Sequence, residues 1–109
     1  MREGYVYVDD TYAGVITEED SGYSFTYSKD YLKTTSPKPV SLTLPLQEEK
    51  YASSTMFPFF DGLIPEGWLL NVAIDNWKLN PKDRMGLLLT TCLDPIGNVS
   101  VRPSKEKEA

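Results

Sequence analysis

The first third of the chain alternates with a period of two, and this constrains the fold more than any other feature. Tyr23-Ser24-Phe25-Thr26-Tyr27 places three aromatic rings on one side of an extended backbone and two hydroxyls on the other. Ahead of it, Tyr5-Val6-Tyr7-Val8 and the run from Tyr12 to Thr17 are built from β-branched and aromatic residues. Asp9-Asp10-Thr11 and Glu18-Glu19-Asp20-Ser21-Gly22, the segments between these runs, have turn compositions. Residues 5–27 therefore read as a three-stranded antiparallel meander with one buried face. Gly14 falls inside the second strand, where a glycine signals a bulge or a close backbone approach. An aromatic sheet face is more often packed than used as a stacking platform, so Tyr23, Phe25 and Tyr27 are assigned to the core, as are Phe57, Phe59 and Phe60.

The pattern then loosens and changes period. Ser36-Pro37-Lys38-Pro39 can continue neither a helix nor a central strand. Val40, Leu42, Leu44 and Leu46 alternate with Ser41, Thr43, Pro45 and Gln47, which predicts a fourth strand whose end Pro45 places at an edge. Residues 47–54 read as a polar connection. Met56 to Ile64 predicts a short helix or helical turn cut by Gly62. Pro65 stands where a first helical residue belongs, with Glu66 in the first turn, and a helix follows over 65–77. Asn80 as N-cap, Pro81 at N1 and Asp83 at N3 open another helix, whose stripe is Met85, Leu88, Leu89 and Cys92. Gly86 inside it costs about 1 kcal/mol relative to alanine. Residues 96–101 predict a last strand able to rejoin the sheet. The class is α+β: a small antiparallel, curled sheet of about five strands against two or three helices from the second half. One domain spans residues 1–103, and 104–109 form a charged tail.

Composition removes most catalytic chemistries. There is no histidine, hence no triad, no histidine-led acid–base pair and no histidine metal ligand. The single cysteine, Cys92, excludes an intrachain disulfide and a thiolate metal cluster, and points to a reducing compartment, the cytoplasm. No glycine-rich phosphate loop is present, and Asp61 with Glu66 is better explained as a turn acid and a helix-start acid than as a catalytic pair. The formal net charge of −5 disfavours a phosphate backbone and suits a basic protein partner. No signal peptide and no membrane-spanning run is present. The expectation is a domain without catalysis, cofactor, metal, direct nucleic-acid contact or membrane contact.

One residue does not fit its helix. At about 100° per residue, Leu70, Ala73, Ile74 and Trp77 form one stripe, and Trp68 falls on nearly the opposite side with Asn71. Trp68 then lies between two layers or folds over a neighbouring loop, or it is an exposed anchor of the kind enriched in interface hot spots.

Several segments resemble a known family. Ser41-Leu42-Thr43-Leu44-Pro45-Leu46 is similar to the "SLSLPL" segment of the N-terminal domain of HipA-type kinases. Phe59-Phe60-Asp61-Gly62-Leu63-Ile64-Pro65-Glu66-Gly67 resembles that family's "FFxNLLPEG" signature. Asp83 to Leu89 with Ile96-Gly97-Asn98-Val99 resembles its ending, except that Cys92 or Leu93 stands where a glycine is frequent after the last helix. The opening hairpin matches as well. In the family this domain precedes a serine/threonine-kinase-like toxin domain, which pairs with a helix-turn-helix antitoxin. The chain stops where a kinase would start, so the resemblance implies the standalone, HipS-like protein of split HipBST systems. It would be a non-catalytic antitoxin that binds and inhibits a separate HipA-like kinase, with Asp61, Glu66, Gly67, Trp68 and Asn71 facing that partner. Two alternatives stay open: an assembly module bridging the kinase to a helix-turn-helix DNA-binding partner, and the truncated N-terminal domain of a full-length kinase.

Overall fold

The computed structural model describes residues 2–64, 82–91 and 98–103. Strands β1 (Glu3–Val8) and β2 (Thr11–Glu19) pair antiparallel around Asp9-Asp10, whose φ angles are 49° and 66°. A two-residue connection with both φ positive matches the twist of the strands it joins, and aspartate is among the few residues that tolerate it. The register runs from Glu3↔Thr17 to Val6↔Gly14, then shifts so that Tyr7 faces Tyr12 and Ala13 is the extra residue. The sequence offered a bulge or a close approach at Gly14, and both occur. A β-carbon on Gly14 would strike the Thr26 carbonyl of the next strand. That strand, β3 (Gly22–Tyr27), completes the expected meander. At the two margins, β4 (Tyr51–Ser53) pairs with β3 and β5 (Val99–Arg102) pairs with β1, both antiparallel. The sheet is five-stranded with order β4-β3-β2-β1-β5, and the architecture is the α+β one expected.

One face of the sheet carries Val6, Val8, Ile16, Phe25, Tyr27, Val99 and Val101, all buried. The described helices lie on that face. They are α1 (Lys29–Leu32), α2 (Pro58–Asp61) and α3 (Arg84–Thr91). Tyr31 of α1 stacks on Tyr27, with ring centroids 6.4 Å apart and planes 7° from parallel. Phe60 of α2 is fully buried 5.4 Å from Phe25. Met85, Leu87 and Leu88 of α3 are buried, and Leu89 fills the space over Gly4 that a β-carbon would occupy. The expected stripe thus gains Leu87, while Leu89 is only half-buried and Cys92 lies outside the described residues. The short helix over 56–64 forms as read, with Gly62 at its C-cap. The helix over 65–77, with Trp77, and the tail 104–109 also fall outside the described residues.

The predicted strand over 40–47 is not one. Only a Ser41↔Leu44 bridge remains of it, closing a tight turn with Leu42 95% exposed at its tip. The reason is where the backbone groups go. The Tyr27 hydroxyl donates to the Leu44 carbonyl and accepts from the Val40 amide at 3.0 Å. The Tyr31 hydroxyl donates to the Lys38 carbonyl at 2.6 Å and accepts from the Lys38 amide at 3.0 Å. The Tyr51 hydroxyl donates to the Pro45 carbonyl at 2.6 Å. Pro37, Pro39 and Pro45 have no amide hydrogen to give. Side chains therefore take the groups a ladder would need. The fourth strand is Tyr51–Ser53, inside the stretch read as a connection and too short to show an alternation.

Tyr27→Phe should expose the cost of this arrangement. It leaves the buried Val40 amide and Leu44 carbonyl without their partner, for about 1–3 kcal/mol of stability. Urea unfolding should show a lower midpoint at an unchanged slope.

Candidate partner-binding surface

Of the residues read as partner-facing, the structure describes Asp61. Glu66, Gly67, Trp68 and Asn71 lie outside the described residues. Asp61 is brought to the surface by α2. Pro58 starts that helix after the extended Phe57, Phe57 and Phe60 turn inward, and Asp61 is left outward at its end. There it is not a lone acid. Its Oδ1 accepts from Arg84 Nε at 2.6 Å, with the Asp61 side chain 45% and the Arg84 side chain 33% exposed. This pair links α2 to the start of α3. Sequence reading missed Arg84, because nothing local relates two side chains 23 positions apart.

The start of α3 is set by a second constellation that the sequence did not announce. Arg2 Nε and Nη2 donate to the two Glu18 oxygens, both at 2.8 Å. Its Nη1 and Nη2 also donate to Asp83, at 2.9 and 2.6 Å. One guanidinium thus spans two carboxylates, joining the beginning of the chain and β2 to the helix. Hydrogen bonds from Arg2 hold the Asp83 and Glu18 carboxyls below their usual range, and both carboxylates push the Arg2 guanidinium still higher.

Asp83 corrects the predicted helix start. Its Oδ1 accepts from the Gly86 amide at 3.1 Å and its carbonyl accepts from the Leu87 amide at 3.0 Å, so Asp83 is the N-cap and not the third helical residue. Asn80 and Pro81, read as N-cap and first residue, lie outside the described residues. The cap also explains the glycine inside the helix. A β-carbon on Gly86 would collide with the Asp83 carboxylate and come within 3.2 Å of Arg2 Nη1.

The described part of this surface presents partly exposed ion pairs, Asp61 with Arg84 and Arg2 with Glu18 and Asp83. Among the described residues no group of three or more histidine, cysteine, aspartate or glutamate side chains is placed to hold a metal ion. A shallow cleft of about 250 Å³ between Asp9 and Lys38 is lined by Thr11, Thr34, Thr35 and Ser36 and bridged by the Lys38–Asp9 ion pair at 3.7 Å. It contains no convergent acid, base and nucleophile. No described helix is long and apolar enough to cross a membrane.

A curled five-stranded antiparallel sheet with short helices on one face defines a small α+β domain. The chain belongs to the HipA N-terminal domain family, whose model matches residues 4–102. It is similar to the solved N-terminal domain of HipA toxin, at 25% identity and a TM-score of 0.71, covering 98% of this chain and 96% of that one. It is also 29% identical over 106 residues to an uncharacterized protein of Haemophilus influenzae, covering 97% of this chain and 96% of that protein.

Two measurements check the α3 start. Gly86→Ala should not stabilise the protein, since it displaces the cap, worth about 1 kcal/mol. In an Asp83→Ala background the same change should stabilise by up to about 1 kcal/mol. A double-mutant cycle by chemical denaturation reads the difference. The Arg2 pairs stabilise the fold while Asp83 and Glu18 are ionised, above their unfolded-state pKa values of about 4, and the benefit is lost as pH falls through their lowered folded-state values. These side chains are 30–43% exposed, so the difference between the native protein and Arg2→Met should be about 1 kcal/mol at pH 7. It should shrink below about pH 4.

Proposed function

We propose that this protein is a non-catalytic antitoxin that acts in the cytoplasm by binding and inhibiting a separate HipA-like serine/threonine kinase. The observation that carries the reading is the extent of the Haemophilus influenzae relative. This chain covers 96% of it, so that protein is one such domain nearly by itself. A HipA N-terminal domain borne on its own polypeptide meets a kinase as a second chain. Family membership over residues 4–102 supports association with a HipA-type component.

The mechanism is steric and electrostatic. Trp68 is the anchor, filling a pocket near the kinase's active-site cleft. Gly67 allows close backbone approach, while Glu66 and the −5 net charge meet basic residues that otherwise handle ATP phosphates. Asn71 adds a polar rim contact. Asp61 contributes to that rim through its pair with Arg84 and not as an isolated carboxylate.

The test is phosphorylation by the purified kinase with and without a stoichiometric amount of this protein. The expected result is inhibition that Trp68→Ala relieves, with binding weakened by about thirtyfold or more and the thermal midpoint of the free protein nearly unchanged. Undiminished kinase activity in a purified stoichiometric complex would sink the antitoxin reading and favour an assembly module. Growth rescue by this protein alone, when the kinase is expressed, separates the same two readings in cells.

A further inference from the structure

We infer, resting on the antitoxin reading, that the turn over residues 41–44 is a docking knob whose Leu42 enters an apolar, uncharged pocket of the same kinase. Leu42 is the one large apolar side chain left exposed among the described residues, at 95%. An exposed leucine alone needs no explanation. This one is held out by its surroundings. Val40 and Leu44, two positions to either side, are buried. The Tyr27 hydroxyl accepts from the Val40 amide and donates to the Leu44 carbonyl, so both legs of the turn are fastened to the core. Across the turn, the Leu44 amide donates to the Ser41 carbonyl at 3.1 Å and the Thr43 amide donates to Ser41 Oγ at 3.2 Å. The Ser41 and Thr43 hydroxyls lie 2.9 Å apart. Leu42 cannot fold back on the core without breaking these bonds, and a partner that takes it has little backbone left to order.

The residues around Leu42 fix the chemistry of its receptor. From Pro39 to Gln47 no residue is charged, in a chain of which 25% is. Pro39, Thr43 and Pro45 are exposed along the same turn. The centre of a protein interface is likewise depleted of charge, and a charged lining would lose its water against this tip without gaining a partner. The receptor is therefore apolar. A second copy of this chain is a poor source of it. The clefts at Asp9 with Lys38 and at Glu18 to Asp20 have charged walls, and two chains of net charge −5 repel each other. A single turn also falls far short of the roughly 800 Å² per partner that a stable interface buries. The knob is thus a second point of attachment in a complex held together elsewhere, and the complex with the kinase is that one.

The test measures the Kd of the purified kinase for the full chain, for Leu42→Ser and for Leu42→Met, beside the thermal midpoint of each free protein. Leu42→Ser should weaken binding by about tenfold or more, the loss expected when one buried aliphatic side chain is removed. Leu42→Met should recover most of that affinity, because an apolar side chain of similar volume refills the pocket. Both midpoints should stay within about 3 °C of the native value, since an exposed side chain contributes little to the fold. A change of less than about threefold on Leu42→Ser overturns the knob and leaves the antitoxin reading standing. A native chain that does not bind the kinase at all overturns both. A loss of affinity matched by a lowered midpoint overturns the knob, because the substitution then acts through the fold. A native chain that sediments as a dimer, with Leu42→Ser a monomer, gives the tip to a second copy and overturns the kinase as its occupant.

Discussion

The contact between Phe25 and Phe60 joins the two halves of this chain, and the surface at the end of α2 depends on it. A four-residue helix has no stability of its own, because nucleation costs more than one turn returns. Helix α2 exists because Phe60 is fully buried, 5.4 Å from Phe25 and edge-on to Phe57 and Phe59 at 6.2 and 5.2 Å. Burying such a ring is worth roughly 1.5–3 kcal/mol. With Phe60 inward, Asp61 must point outward, and there it meets Arg84. A hydrophobic anchor in the core thus decides where a charged pair stands on the surface.

Around that core, polar side chains do work that regular secondary structure leaves undone. The Tyr27, Tyr31 and Tyr51 hydroxyls hold the proline-rich stretch from Lys38 to Pro45 against the sheet. Arg2 holds the start of α3 through Asp83 and ties it to β2 through Glu18. Gly86 looks like a weakness of α3 when helix propensity alone is considered. In the folded protein it is the space that the cap and the guanidinium occupy. Among the described residues no buried side-chain nitrogen or oxygen lacks a hydrogen-bond partner, so burying these polar groups leaves no desolvation debt in the core.

The two faces of the sheet divide the molecule. One is covered by the helices and is apolar. The other carries no helix among the described residues and is more polar, with Tyr5, Thr17, Ser24 and Thr26 beside Arg102. Membership of the HipA N-terminal domain family gives this division a setting. The relative from Haemophilus influenzae matches this chain over 96% of its own length. On the proposed reading, the segment after α2 addresses the kinase.

Period-two alternation, turn composition and the glycine at position 14 were legible in the one-dimensional chain, and with them the meander, the aromatic core and the α+β class. These are local properties: each residue's side of a strand follows from its neighbours. The resemblance at Phe59 to Gly67 was legible for the same reason, since it is a contiguous run. Only the tertiary structure decided that residues 40–47 form a pinned turn, that β4 lies at Tyr51–Ser53, that Asp83 caps α3, and that Asp61 is paired. The pinned turn, the pairing of Asp61 and the Arg2 contact that holds Asp83 rest on partners far away along the chain: Leu44 is 17 positions from Tyr27, Arg84 is 23 from Asp61, and Asp83 is 81 from Arg2. Hydroxyls and charges bind whatever the fold brings within about 3 Å, and no spacing rule predicts that.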